Sequence, residues 1–432
     1  MIPPFSILQN MGISFEKTCA KSRRRTQNLT NPGDMSIMLD SVYKGEREKE
    51  EALFLKIILV IDIYDELNNG TSMTTYRFAE MLKKRGHEVH VLAAGSLCEP
   101  AYKANEKQYI LATKLAHKQG FAFAEADEEL FRRAFAGADV IHFLLPLWFE
   151  HKALKVAQEM NIPVSAAFHL QPDNVTYIIH MPWDFLSVGV YKFFNRTFYK
   201  HFDHIHCPSR FIADQLVKNG YKAKMHVISN GVDQAFAPPA VPKEEGALFH
   251  ILMVGRLSPE KRQRVLIDAV AKSKYADRIQ LHLAGRGPCK EALVKQGQAL
   301  PHPPEFGFYE KEDLIRLIHS CDLYVHASYI EIEAISCMEA FACGLVPVIC
   351  NSPKSATVQF ALDGRSLFSP DDSDDLARKI DYWIEHPQER RAMSGAYAQQ
   401  GERYRVSESV KAAEEMFAEV IRDHKEKSRG LK

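Results

Sequence analysis

The sequence predicts an α/β protein built from two doubly wound parallel sheets that face each other. Three observations point there. Continuous apolar runs alternate with amphipathic helical stretches from residue 54 onward, at the spacing of right-handed parallel strand–helix–strand units. A proline-rich stretch, "AFAPPAVPKEEG" at 235–246, interrupts this pattern, which then restarts. The length of 432 residues also exceeds one ordinary core, since domains hold roughly 100–200 residues each.

Residues 1–53 are polar, are broken by Pro3, Pro4, Pro32 and Gly33, and carry a basic run from Lys21 to Arg25; they predict a loosely ordered extension. "LFLKIILVID" then reads as a buried strand, "IYDELNNG" as a loop, and "TSMTTYRFAEMLKKRG" as an amphipathic helix ending on Gly86. "HEVHVLAAG", "DVIHFLLP", "IPVSAAFH", "HIHCPS" and "KMHVISNG" supply further strands of the first domain, 54–236. After the linker, "FHILMVGR", "IQLHLAG", "CDLYVHAS", "LVPVIC" and "SLFSP" predict a second domain over 247–405. The last stretch, 406–432, is a long helix assigned to the first domain, with acids early and bases late as its dipole favours. Ligands of such sheets bind beyond the strand C-terminal ends, so the chemistry is expected between the domains.

Composition narrows the class. With 55 basic and 55 acidic residues there is no global charge to draw the chain to nucleic acid or an acidic membrane. Eight cysteines without a Cys-x-x-Cys pair read as reduced thiols, and no apolar run of 18 residues or secretory leader is evident. A cytoplasmic protein is expected, with contact to the inner face of the cell membrane through the first domain as an option. That option rests on "MPWDFLSVGVYKFFNRTFYKHFDH", where aromatics alternate with Lys192, Arg196 and Lys200, and on Lys103, Lys107, Lys114 and Lys118. Helices packed on the sheet with snorkelling lysines explain the same pattern.

Two stretches carry candidate chemistry. In "GRLSPEK" a strand ends at Gly255, Ser258 can cap a helix with Pro259 at its first position, and Arg256 and Lys261 project at that N-terminus, which makes an anion site. A solvated basic face of Lys261, Arg262 and Arg264 is the alternative. In "SYIEIEAISCMEAFACG", Glu331 follows a strand and Glu339 lies within an otherwise apolar helix starting near Ala334 and Ile335. Eight helical residues cover at most about 12 Å. That span suits a sugar nucleotide with one carboxylate on the ribose, the other on the hexose, and the diphosphate at the helix end. Two structural acids, one capping and one ion-paired, fit the spacing as well.

Together these stretches resemble the retaining glycosyltransferases of the GT-B fold, with two facing Rossmann-like domains: Glu331, Glu339, Ala340, Ala342, Cys343 and Gly344 match the family's paired-glutamate motif in order. The resemblance spans about residues 55–427. It implies that Arg256 and Lys261 hold the donor diphosphate, that Glu339 binds the ribose and Glu331 the transferred sugar, and that Gly287 of "AGRGP" lies near the base. It further implies that His169 sits beside the reacting sugar and that Gly70 and Thr71 approach the donor phosphate. Two departures stand out. Ile332, Glu333 and Ala334 replace the usual Gly-Phe-Gly, and "NSPKSATVQFALDGRSLF" replaces a glycine-rich acidic segment; both resemble bacterial glycolipid glucosyltransferases.

The expectation is therefore a hexosyltransferase using a UDP-sugar, UDP-glucose in the first instance, with a lipid such as diacylglycerol as acceptor. A capsular or other cell-envelope polysaccharide acceptor and a nucleotide-binding module without catalysis are the alternatives. No cofactor or metal is expected, because cations and helix N-termini can neutralise the leaving diphosphate. Asp372 and Asp374 are read as helix-capping acids. His204, His206 and Cys207, which alternate along a strand, are read as packing residues for want of a further ligand.

Overall fold

The computed structural model describes residues 54–65, 70–108, 122–174, 184–241, 243, 244 and 246–430. The expected extension 1–53 thus lies outside the described residues, as do most of the loop before Gly70 and the segments bearing Lys114, Lys118 and Met181 to Trp183. Leu55–Lys432 forms one compact unit.

Within it, the first sheet contains β1 (Lys56–Ile63), β2 (Glu88–Ala94), β5 (Val140–Phe143), β6 (Val164–Ala167), β7 (His204–Cys207) and β8 (Lys224–Val227), in the order β2-β1-β5-β6-β7-β8 and parallel throughout. A short antiparallel pair, β3 (Glu106–Lys107) and β4 (Phe123–Ala124), stands apart. Its helices are α1 (Gly70–Lys84), α2 (Glu128–Phe135), α3 (Trp148–Glu159), α4 (Asp184–Thr197) and α5 (Arg210–Lys218). Side-chain alternation explains the unbroken apolar strands. Ile58 and Val60 of β1 pack with Phe143 and Phe168 on one face, while Ile57, Leu59 and Ile61 pack on the other with Val410 and Phe417 of α12 (Val406–Gly430).

The second sheet is also parallel: β9 (Phe249–Val254), β10 (Ile279–Ala284), β11 (Glu305–Gly307), β12 (Leu323–His326), β13 (Pro347–Cys350) and β14 (Leu367–Phe368), in the order β11-β10-β9-β12-β13-β14. Around it lie α6 (Gln263–Lys272), α7 (Lys290–Gly297), α8 (Lys311–Ser320), α9 (Ile335–Ala342), α10 (Ser373–Glu385) and α11 (Pro387–Gly401). β11 escaped the sequence reading because three residues are too few to show a period. Strand order reverses between β9 and β12, so the loops after these two strands flank the crevice in which ligands of such sheets bind.

The chain crosses between sheets twice, and the crossings are bonded together. Val232 N donates to Tyr404 O (2.7 Å), Val406 N donates to Val232 O (3.0 Å), and Arg405 Nη1 donates to Phe236 O (2.8 Å). Gly231 has φ 79°, and a Cβ there would stand 2.6 Å from Val406 Cα, so only glycine fits.

Candidate active site

The loop after β9 departs from the expected single helix. Pro259–Lys261 form a 3-10 turn, Arg262 takes φ 58°, and α6 begins only at Gln263. Ser258 makes no capping bond to the backbone; its hydroxyl meets the Glu260 carboxylate instead. A left-handed residue cannot continue a helix, which is why Lys261 rides on the turn and not on α6. The expected basic face holds only in part: half-buried Arg262 places Nε 3.2 Å from Asp371 Oδ1, while exposed Arg264 pairs with the same oxygen at 3.0 Å from the solvent side.

Lys261 reaches Glu331, whose Oε1 it contacts. Glu331 is 8% exposed and also lies 3.1 Å from His326 Nε2 at the end of β12. The other ring nitrogen of His326 is 3.2 Å from the Tyr324 hydroxyl, and Ser336 Oγ, 3.2 Å from that hydroxyl, donates to Val254 O at 3.1 Å. This chain of bonds ties β9, β12 and the first turn of α9 to one carboxylate. Burial alone would raise the Glu331 pKa, but the Lys261 ammonium and the His326 hydrogen bond more than reverse it and hold the carboxyl well below its usual range. Glu331 is an anion held in place.

Glu339, on the second turn of α9 and 7% exposed, is paired from the other sheet. Arg77 of α1 donates to its Oε1 at 2.7 Å and, with its second arm, to Gly231 O at 3.1 Å. Burial raises the Glu339 pKa and Arg77 only partly offsets this. Both acids of the motif are thus ion-paired in this state, one by a cation of its own sheet and one across the cleft.

The departures from the family pattern have structural uses. Ala334 adopts φ 68°, the conformation glycine would give, at a cost of roughly 1–2 kcal/mol. Ile332 O accepts from Ser209 Oγ at 2.7 Å, and Glu333 Oε2 accepts from Asn230 N at 2.8 Å, so the variant residues dock the loop onto the first sheet. Glu333 is 1% exposed, Oε1 has no protein partner, and burial pushes its pKa up to about 8. In the unfolded chain the group titrates near 4.5. The folded form therefore keeps a proton that the unfolded form loses, and stability is full below the unfolded value and declines as pH rises through about 8. Glu333→Gln should match the parent near pH 4.5 and exceed it at pH 8 by up to about 4 kcal/mol in urea denaturation; a difference independent of pH would exclude a buried neutral acid.

His169 lies just beyond β6, 8% exposed, with Nε2 lacking a protein partner. Burial, aided by His206, lowers its pKa to about 3, so the ring is neutral. The loop that follows it touches the donor-side acid through one carbonyl. Lys354 O accepts from Gln171 Nε2 (3.2 Å) and from Glu331 N (3.4 Å), and Lys354 Nζ lies 3.3 Å from Asp173.

The remaining candidates fall as follows. Arg256 is half-buried on the same loop as Lys261, its carbonyl accepting from Gln263 Nε2 at 2.8 Å. Ile335 opens α9. Gly255 N donates to Ala284 O (2.9 Å), and a Cβ at Gly287 would stand 2.3 Å from Leu257 O, so packing of the two strand-end turns requires glycine there whatever it binds. Between those turns and β11, Arg286 lies 4.0 Å over the Phe308 ring, a flat exposed surface at the strand ends. Gly70 and Thr71 open α1, but what reaches across from that helix is Arg77. Sequence reasoning missed Arg77, His326, Glu333 and Lys354; for the last two, the departures from the family pattern were the available sign.

Facing parallel sheets with a paired acid-and-cation rim at the switch point define a two-domain α/β protein of the GT-B fold. Comparison with known proteins agrees. Residues 68–236 match the model of Glycosyltransferase Family 4 and residues 238–400 that of Glycosyl transferases group 1, together well over half of the chain. The chain belongs to this glycosyltransferase family and is a hexosyltransferase. It is 24% identical over 320 residues to the alpha-monoglucosyldiacylglycerol synthase of Streptococcus pneumoniae, covering 68% of this chain and 70% of that one. It is 49% identical to the catalytic domain of cholesterol-alpha-glucosyltransferase from Helicobacter pylori, over 36% of this chain and 99% of that one, with a TM-score of 0.34. Sucrose-phosphate synthase from Thermosynechococcus elongatus shares the fold, with a TM-score of 0.66 at 18% identity over 85% of this chain and 99% of that one.

Proposed function

We propose that this enzyme moves glucose from UDP-glucose, with retention, to the hydroxyl of a membrane lipid, diacylglycerol in the first instance. The observation that carries the reading is the junction at Lys354, which sets the Lys261–Glu331 pair of the donor side against the strand-end loop of His169. In this reading the bond from the anomeric carbon to the diphosphate breaks and a bond to the acceptor oxygen forms on the same face. The acceptor proton passes to the leaving phosphate oxygen. Lys261 and Arg256 stabilise the departing charge, Glu331 accepts hydrogen bonds from the sugar hydroxyls, and neutral His169 orients the sugar through Nε2. Arg286 and Phe308 offer the base a stacking surface. Glu331 is held by Lys261 and His326 as a fixed anion, which suits electrostatic stabilisation of a cationic sugar better than covalent attack. No metal is required by this scheme.

Two observations favour a lipid. The pneumococcal relative is by its name a glucosyldiacylglycerol synthase. In α4, Phe185 is 68% and Phe193 60% exposed beside exposed Lys192 and Arg196, an apolar face with a basic border suited to an anionic bilayer. Among the described residues no helix is long and apolar enough to cross a membrane, so contact through such a face is peripheral. The test is transfer from labelled UDP-glucose and GDP-mannose to vesicles containing diacylglycerol or a sterol and to soluble saccharides, with the product anomer read by NMR. An α-glucoside of a vesicle lipid is expected. Transfer only from GDP-mannose, only to soluble sugars, or with inversion would overturn the reading.

A further inference from the structure

Away from the donor rim, where the start of β7 meets the edge strand β8, three side chains converge. His204 Nδ1 lies 3.0 Å from His226 Nε2, and one ligand atom from each of His204, His226 and Glu419, the last carried by α12, lie within 4.8 Å of one another. Asp423, one turn further along α12, places Oδ2 3.2 Å from the other nitrogen of His204, Nε2. We infer that these residues form a binding site for a divalent transition metal ion of the zinc class, with His204 Nδ1, His226 Nε2 and Glu419 as ligands and Asp423 as the carboxylate that orients His204.

Four features support this. Two nitrogens bound at 2.0–2.1 Å to a tetrahedral ion stand roughly 3.3 Å apart, close to the observed contact. A metal-bound histidine characteristically gives its remaining N–H to a carboxylate, and Asp423 Oδ2 stands 3.2 Å from His204 Nε2, which makes no protein hydrogen bond in this state and is left for that partner. The Glu419 carboxylate is in contact with the Lys224 ammonium, so the position already attracts a cation. The protein also contains its own contrast. His250 and His282 approach to 2.9 Å on β9 and β10, but Glu305 lies at the far nitrogen of His282, and among the described residues only the first pair gathers a third ligand.

His204, His206 and Cys207 read as packing residues in the sequence, and of the three only His204 belongs to the cluster. His206 Nε2 bonds Ile228 O at 2.7 Å, and Cys207 is buried in the core. The other ligands come from the next strand and from the terminal helix. Three protein ligands leave one position for water, and 3% exposure of His204 against solvent-facing Lys224 makes the outer side the route of entry. An ion here would staple α12 to the sheet edge, downstream of the crossing where Val406 bonds Val232. Its effect would be on stability, not on the transfer chemistry.

The test uses the full chain, freed of metal with a chelator and titrated with Co²⁺ and then Zn²⁺ alone. Uptake of a single equivalent of Co²⁺ with the intense visible absorption of a four-coordinate site is expected, displaced by Zn²⁺, with a higher thermal midpoint in excess Zn²⁺. His226→Asn and Glu419→Gln should each weaken binding by about 100-fold or more, and Asp423→Asn by about 10- to 100-fold. Lys224→Met removes the cation in contact with Glu419, leaving Arg422 3.7 Å away, and should bind at least as tightly as the parent. Absence of stoichiometric uptake, uptake unaltered in folded His226→Asn, or weaker binding by Lys224→Met would overturn the proposal and leave a hydrogen bond between two rings.

Discussion

Lys261→Ala is expected to lower kcat/KM for transfer by about 10³-fold, the scale on which removing one charge-stabilising donor acts. The reason lies in the pairing at the donor rim. Lys261 contacts Glu331 in this state, and in the proposed reaction it also faces the departing diphosphate. Removing it withdraws a cation from both. A second effect follows from burial. Glu331 is 8% exposed, and losing the partner of a buried charge costs about 3–5 kcal/mol before relaxation, so the variant should also unfold at lower urea. Wild-type Glu331 is held anionic through the acid range because Lys261 and His326 together outweigh burial. In the alanine variant its pKa must rise, and the acid limb of the pH–rate profile should move upward with it. Lys261→Arg should recover stability better than rate, since a forked cation pairs with the carboxylate but displaces the phosphate position. A rate within threefold of wild type would remove diphosphate stabilisation from the account.

Glu339→Gln and Arg77→Met should separate two roles of one contact. In the role the family resemblance implies, the Glu339 carboxylate accepts from the ribose hydroxyls of the donor, and charged acceptors contribute about 1.5–3 kcal/mol each. Glu339→Gln should therefore raise the donor KM by about 10- to 100-fold with little change in kcat. Arg77→Met breaks an ion pair whose partners are both about nine-tenths buried, and should lower stability by about 3 kcal/mol. Its donor KM should not rise, because Arg77 competes with the ribose for the same carboxylate oxygen. Combining the two changes should show a coupling of about 1–3 kcal/mol in denaturation, as expected for groups in direct contact. A parallel rise in donor KM for both single variants would mean that Arg77, and not the ribose, is what Glu339 is there to bind.

Much of the architecture was legible from periodicity. The central strands of the first sheet were marked by apolar runs, because parallel strands buried on both faces cannot alternate with polar residues, whereas β7 and the largely exposed edge strand β8 carry histidines and a lysine. β11 and the β3–β4 pair were not legible, being two or three residues long. The second crossing could be read only in part. The terminal helix was evident, but not that Gly231 must yield space to Val406. At the site, the paired glutamates and the Arg256–Lys261 loop were visible as a motif, whereas the break at Arg262 that sets Lys261 on a 3-10 turn depends on a left-handed backbone that no residue type there announces.

What this sequence determined by itself is the alternation of strands and helices, the linker and the chemical types placed at the strand ends, because burial on one or both faces imposes a period on neighbouring residues. What the tertiary structure decided is which charge meets which. Arg77 finds Glu339 across 262 positions, Asn230 finds Glu333 across 103, and Lys261 finds Glu331 across 70. The energy of an ion pair or a buried hydrogen bond depends on distance through space and on exclusion of water, and neither quantity has a period along the chain.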